Sequence, residues 1–117
     1  MRAVKTFICS AGKIRVKVRV LPTIIDVHHA FGSKRGLGLT RGSIVNAYFD
    51  PMQTPEAKYV GTIVLPLDGR LAELIPHEVT HAVVRAMGGV LPRDDEAFCD
   101  AVGVLSARIM AKMGRAA

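Results

Sequence analysis

His77 and His81 stand four residues apart in the run HEVTH, with Glu78 between them. On a helix, side chains at that spacing lie one turn apart on one face, so both imidazoles can bind the same zinc ion. Neutral imidazole donates a lone pair readily near neutral pH. Glu78 then lies beside the metal, where a carboxylate can take a proton from bound water. A catalytic zinc takes three protein ligands and keeps one position for water, so a third donor must come from elsewhere. Asp94, Asp95, Glu96, Cys99 and Asp100 all offer donors downstream. Glu96 and Asp100 are four residues apart and share a face of the expected last helix. One can bind zinc while the other accepts a hydrogen bond from the free ring nitrogen of a ligating histidine, which fixes its tautomer. On that pairing Glu96 is the expected third ligand of one Zn2+ per chain, and Asp100 supports His77 from behind.

The residues around the motif supply the helix it needs. From Arg70 to Met87, Leu71, Leu74, Ile75, Val79, Ala82, Val83 and Ala86 recur at three- and four-residue spacings. Gly88-Gly89 stops the pattern. Pro76, directly before His77, has no backbone donor, so the helix is expected to begin or kink there. A last helix opens between Pro92 and Asp95, with acidic residues suited to its N-terminus, and runs through Phe98, Ala101, Val102, Leu105 and Ile109 towards Met113.

Upstream, the period changes to two. Lys13, Arg15, Lys17 and Arg19 alternate with Ile14, Val16, Val18 and Val20, the mark of a half-buried strand with one basic face. Ala3 to Ser10 is expected to pair with it as a hairpin across Ala11-Gly12. Thr23 to Phe31 fits either a short helix or an extended segment. Phe31 to Ser43, rich in glycine and basic residues, is expected to be a loop; it matches neither common phosphate-binding fingerprint. Ser43 to Phe49 and Lys58 to Leu65 complete the strands, separated by a proline-containing turn from Asp50 to Glu56. Strands followed by helices imply an α+β fold. The expectation is a small, mostly antiparallel sheet of three to four strands, with the HExxH helix and a C-terminal helix packed on one face.

HEVTHAV followed by EAFCD resembles the gluzincin metallopeptidases, whose thermolysin-like members carry HExTHAV and then ExxxD on a second helix. The likeness spans roughly Lys58 to Leu105. The short chain is most similar to the minigluzincins, and the SprT-like and ImmA-like HExxH proteins of chromosomes and phages share the plan. The resemblance implies His77, His81 and Glu96 as zinc ligands, Glu78 as general base and Asp100 as outer carboxylate. It implies zinc-dependent hydrolysis of a peptide bond in a peptide or protein substrate. It also implies that the strand before the motif helix, Lys58 to Leu65, is a sheet edge along which an extended peptide lies. Larger gluzincins supply a Tyr or His to the oxyanion near the second helix. Gly88 to Arg93 holds neither, which leaves Arg85, Arg93, Tyr48, Tyr59, His28 and His29 as candidates.

The bulk properties bound these readings. A chain of 117 residues has room for one domain, taken as 1–117, and with half its residues hydrophobic it can build a core. Trp is absent, so aliphatic side chains must fill it. The net charge of +6 allows a nucleic-acid or other anionic partner. The basic strand faces either solvent or such a partner, and no aromatics are interleaved along it for base stacking. A second reading is therefore a non-catalytic, zinc-containing accessory module of phage origin. It would bind nucleic acid or protein through that strand and the Phe31 to Ser43 loop. Cys9 and Cys99 are no disulfide framework and read as buried thiols in a reducing compartment. The start of the chain has no sustained apolar run of a signal peptide, and no stretch reaches membrane-spanning length. A cytoplasmic location without membrane contact is expected.

Overall fold

A computed structural model describes residues 3–35, 44–52, 58–89 and 95–114. The expected hairpin opens it. β1 (Lys5–Ala11) and β2 (Ile14–Leu21) pair antiparallel, from Lys5 opposite Val20 to Ala11 opposite Ile14. Gly12 makes the turn at φ +60°, a left-handed conformation that glycine adopts without a Cβ clash. The alternation of β2 is realised: Val16, Val18 and Val20 are buried, while Arg15 is exposed and Lys17 and Arg19 are half-buried on the other face.

Then follow α1 (Ile24–Arg35), β3 (Tyr48–Pro51), β4 (Gly61–Pro66), α2 (Leu71–Ala86) and α3 (Asp95–Gly114). The four strands form one mixed sheet in the order β1-β2-β4-β3, with β2 and β4 parallel and the other pairs antiparallel. The α+β class is thus as the sequence implies. Thr23 to Phe31, open between two conformations in sequence, is helical. Its start is capped reciprocally: the Asp26 carboxylate accepts from the Thr23 N–H (3.1 Å) and hydroxyl (2.9 Å), and the Asp26 N–H donates to the Thr23 hydroxyl (3.1 Å). The helix continues to Arg35, so the first residues of the expected Phe31 to Ser43 loop belong to α1; residues 36–43 lie outside the described residues.

The main core lies between one sheet face and two helices. Val16, Val18, Val20, Ile63 and Leu65 meet Ile75, Val79, Ala82 and Val83 of α2 and Leu105 and Ile109 of α3. α2 and α3 share that face, as the sequence implies for the HExxH and C-terminal helices. α1 seals a corner of the opposite face, where Val27 packs on Leu21 and Val64. Those two strand residues alternate with Val20, Ile63 and Leu65, so they point away from the main core and need their own cover.

The position of β4 corrects one expectation. It is not an edge strand but lies between β2 and β3. Ile63, Val64 and Leu65 are all buried, as a strand covered on both faces requires. Among the described residues the sheet edges are β1 and β3. Cys99 is also exposed rather than buried; Cys9 alone is in the core. No described helix is long and apolar enough to cross a membrane.

β3 approaches β4 closely because Gly61 has no side chain. A Cβ there would stand 2.5 Å from the Asp50 carbonyl oxygen and 2.6 Å from the Phe49 ring. Gly61→Ala is therefore expected to destabilise the protein by about 1–3 kcal/mol, the usual cost of overpacking. Urea unfolding checks this, and unchanged stability would show that β3 is not held in this register.

Candidate functional site

The core face of α2 fixes what its other face presents. Ile75, Val79, Ala82 and Val83 are completely buried against the sheet. His77 and His81 therefore point outward, with ring centroids 5.0 Å apart and planes at 78°. Glu78 sits on the boundary and is only 5% exposed. Its Oε2 lies 3.9 Å from His77 Nε2. The three side chains open onto a cavity of about 460 Å³ whose other wall includes Phe31, Tyr48 and Phe49.

Local bonds hold this arrangement. α2 begins five residues before Pro76 and runs through it, rather than starting there. Pro76 cannot donate to the Ala72 carbonyl, and the Thr80 hydroxyl in turn donates to the Pro76 carbonyl at 2.8 Å. Gly88 and Gly89, both with φ near +90°, end the helix, and the Gly89 N–H donates to the Val84 carbonyl at 2.8 Å. The far wall is tied to α1. His28 Nδ1 accepts a hydrogen bond from the Val45 N–H at 3.0 Å. Phe31 meets Tyr48 edge-on, with centroids 5.3 Å apart. Arg85 reaches across the cavity end and donates to the Met52 carbonyl at 3.0 Å.

Burial pushes the Glu78 carboxyl above its ordinary range, and any positive charge on His77 and His81 draws it partly back. A carboxyl raised in this way is a stronger proton acceptor than an exposed one.

Of the expected site residues, the structure brings together His77, Glu78 and His81. Glu96 and Asp100 are exposed in the first turns of α3. Among the described residues no three His, Cys, Asp or Glu side chains are grouped closely enough to hold a metal ion. Asp94 and Arg93 lie outside the described residues. The donor set therefore fits the two-histidine half of a zinc site. Of the candidates for an oxyanion donor, Tyr48 and Arg85 line the cavity. Tyr59 lies beside Lys17, His28 is engaged with the backbone, and His29 is exposed. Nothing in the sequence singles out Phe31 and Phe49 as cavity residues, since no local pattern marks the wall of a cavity built from distant segments.

A scan against protein-family models finds no match, and searches of curated proteins and of solved structures find no significant similarity. The likeness to gluzincins therefore rests on the residues of α2 and α3 themselves.

The burial of Glu78 has a thermodynamic consequence. Its folded pKa lies above its unfolded value, so its contribution to stability is fully present below the unfolded pKa and is lost as pH rises through the folded one. Above the folded pKa the buried charge opposes folding. Glu78→Gln, a neutral group of the same shape, is expected to stabilise the metal-free protein by about 1 kcal/mol at neutral pH, with the gain vanishing in acid. Denaturation in the presence of a chelator at both pH values measures it. A variant less stable than wild type at neutral pH would mean that the carboxylate is well paired in the fold.

Proposed function

We propose that the protein is a small zinc-dependent peptidase of the gluzincin kind, acting on a peptide in the cleft between α2 and β3. The observation that carries this reading is the buried carboxyl of Glu78 beside two exposed imidazoles on one helix face, opening onto a cavity. A purely structural zinc has no use for such a carboxyl, which costs stability where it stands. His77, His81 and Glu96 are the proposed ligands, with Asp100 as the carboxylate behind His77. Zinc, when bound, supplies a Lewis acid that acidifies water and polarises a carbonyl.

The chain's own residues do the rest. Glu78 accepts the proton of the attacking water on a carboxylate oxygen. It keeps the proton within the buried side chain and delivers it to the leaving amine nitrogen. Tyr48 and Arg85 are the donors available to the carbonyl oxygen as negative charge develops there. Because β4 is interior, the peptide edge belongs to β3, which among the described residues pairs only with β4 and borders the cavity. An extended peptide adds to that edge through main-chain hydrogen bonds, so sequence preference falls to the cavity wall of Phe31, Tyr48 and Phe49.

Metal analysis and cleavage of a peptide library test the assignment together. Wild type is expected to bind one zinc per chain. Glu78→Gln is expected to keep the zinc and lose hydrolysis by roughly 10²–10⁴-fold, as loss of a general base does. His81→Ala is expected to lose both. Protein that takes up no zinc on titration, or a Glu78→Gln variant with wild-type turnover, would sink the proposal. Asp100→Ala is expected to weaken zinc binding by roughly 10–100-fold without abolishing it. Complete loss would make Asp100 a direct ligand in place of Glu96.

A further inference from the structure

We propose that the open face of β1 and β2 is a binding surface for single-stranded nucleic acid, independent of the peptidase reading. The main core takes one face of these strands, and among the described residues α1 covers the other only at the corner of Leu21 and Val64. Arg15, Lys17 and Arg19 project from that other face. Neither β1 nor β2 contains an acidic residue. Alternate side chains on a strand are about 6.8 Å apart, so the cations form an evenly spaced row. Such a row can follow successive phosphates along one chain.

Two further side chains distinguish this surface from a merely solvated one. Lys17 Nζ lies 5.8 Å from the centroid of the Tyr59 ring, which places an aromatic among the cations although it comes from a distant stretch of sequence. Ile8, the cross-strand partner of Lys17, is 39% exposed. A basic track with an aromatic ring and an apolar side chain beside it provides backbone attraction and a stacking surface together. An acidic peptide would use only the first. A duplex keeps its bases stacked on one another and offers no free face to Tyr59. Asp50 lies at the far end of the row Ile8–Lys17–Thr62–Asp50, so the basic surface ends before β3.

Fluorescence anisotropy with a labelled oligothymidylate of about twenty nucleotides tests the proposal. The same titration is run with its duplex and with a poly-glutamate peptide. Wild type is expected to bind the single strand at least tenfold more tightly than either competitor, and to lose affinity as salt rises. Arg15→Glu/Lys17→Glu is expected to weaken binding at least tenfold and to flatten the log–log salt slope by roughly 1.4, about 0.7 for each phosphate that is no longer neutralised. Tyr59→Ala is expected to lose about 5- to 100-fold, and Tyr59→Phe to retain binding, because stacking needs the ring and not the hydroxyl. Circular dichroism confirms that each variant is folded. Arg70→Glu, a single charge reversal at the start of α2, is the control for net charge and is compared with Arg15→Glu alone; Glu78→Gln should bind as wild type. Equal loss with Arg70→Glu, equal affinity for poly-glutamate or duplex, or no salt-dependent binding by wild type would each overturn the assignment.

Discussion

The site depends on the rotational setting of one helix. Ile75, Val79, Ala82 and Val83 have no exposure at all, and they leave α2 a single orientation against the sheet. Successive helical residues are separated by about 100°, so fixing those four fixes their neighbours. Glu78 must border both core and cavity, and His77 and His81 must face outward. Rotating the helix to relieve the Glu78 carboxyl would expose Ile75 and Val79, at roughly 1.5–3 kcal/mol for each large aliphatic side chain. The chemistry is thus held in place by residues that take no part in it. A buried carboxyl with a raised pKa can persist only on such a scaffold.

The second wall of the cavity has a different origin. β2 and β4 are parallel, and parallel strands cannot be joined by a tight turn. The connection between them carries α1 and β3. α1 takes the exposed corner of the sheet through Val27. From there His28 holds the Val45 backbone and Phe31 meets Tyr48, so the segment entering β3 is pressed against the mouth of the cavity. β3 can then pair closely with β4 only because Gly61 leaves room for the Asp50 carbonyl and the Phe49 ring.

Local pattern and long-range pairing divide what the sequence makes legible. The period of β2, the stripe of α2, the Gly88-Gly89 stop and the hairpin at Gly12 are each encoded within a few residues, and each forms as the sequence implies. HEVTH on α2 is legible for the same reason, because its geometry is that of a single helical turn. Sheet order is not local. The run at Ile63-Val64-Leu65 signals a strand covered on both faces, but not which strands flank it. That strand is an edge only by resemblance, and the expectation fails on its parallel pairing with β2. The Thr23 helix is ambiguous in sequence because its apolar residues serve one corner rather than a continuous stripe. The capping bonds between Thr23 and Asp26 decide it.

The same sheet raises a separate question about solubility. Among the described residues, α2 and α3 cover one face, whereas α1 covers only the end of the other. The uncovered part must be hydrophilic, and the alternation of β2 makes it so. Hydrophilicity alone would be met by serine, threonine, glutamate or glutamine in any mixture. Cross-strand pairs of opposite charge would even add stability. β2 instead places three cations in succession on this face, opposite Ser10, Ile8 and Thr6 of β1 rather than opposite acids. This arrangement sets like charges about 6.8 Å apart along one strand. A face that meets a polyanion recovers the repulsion on binding, which is why the sign of the charge says more here than its amount.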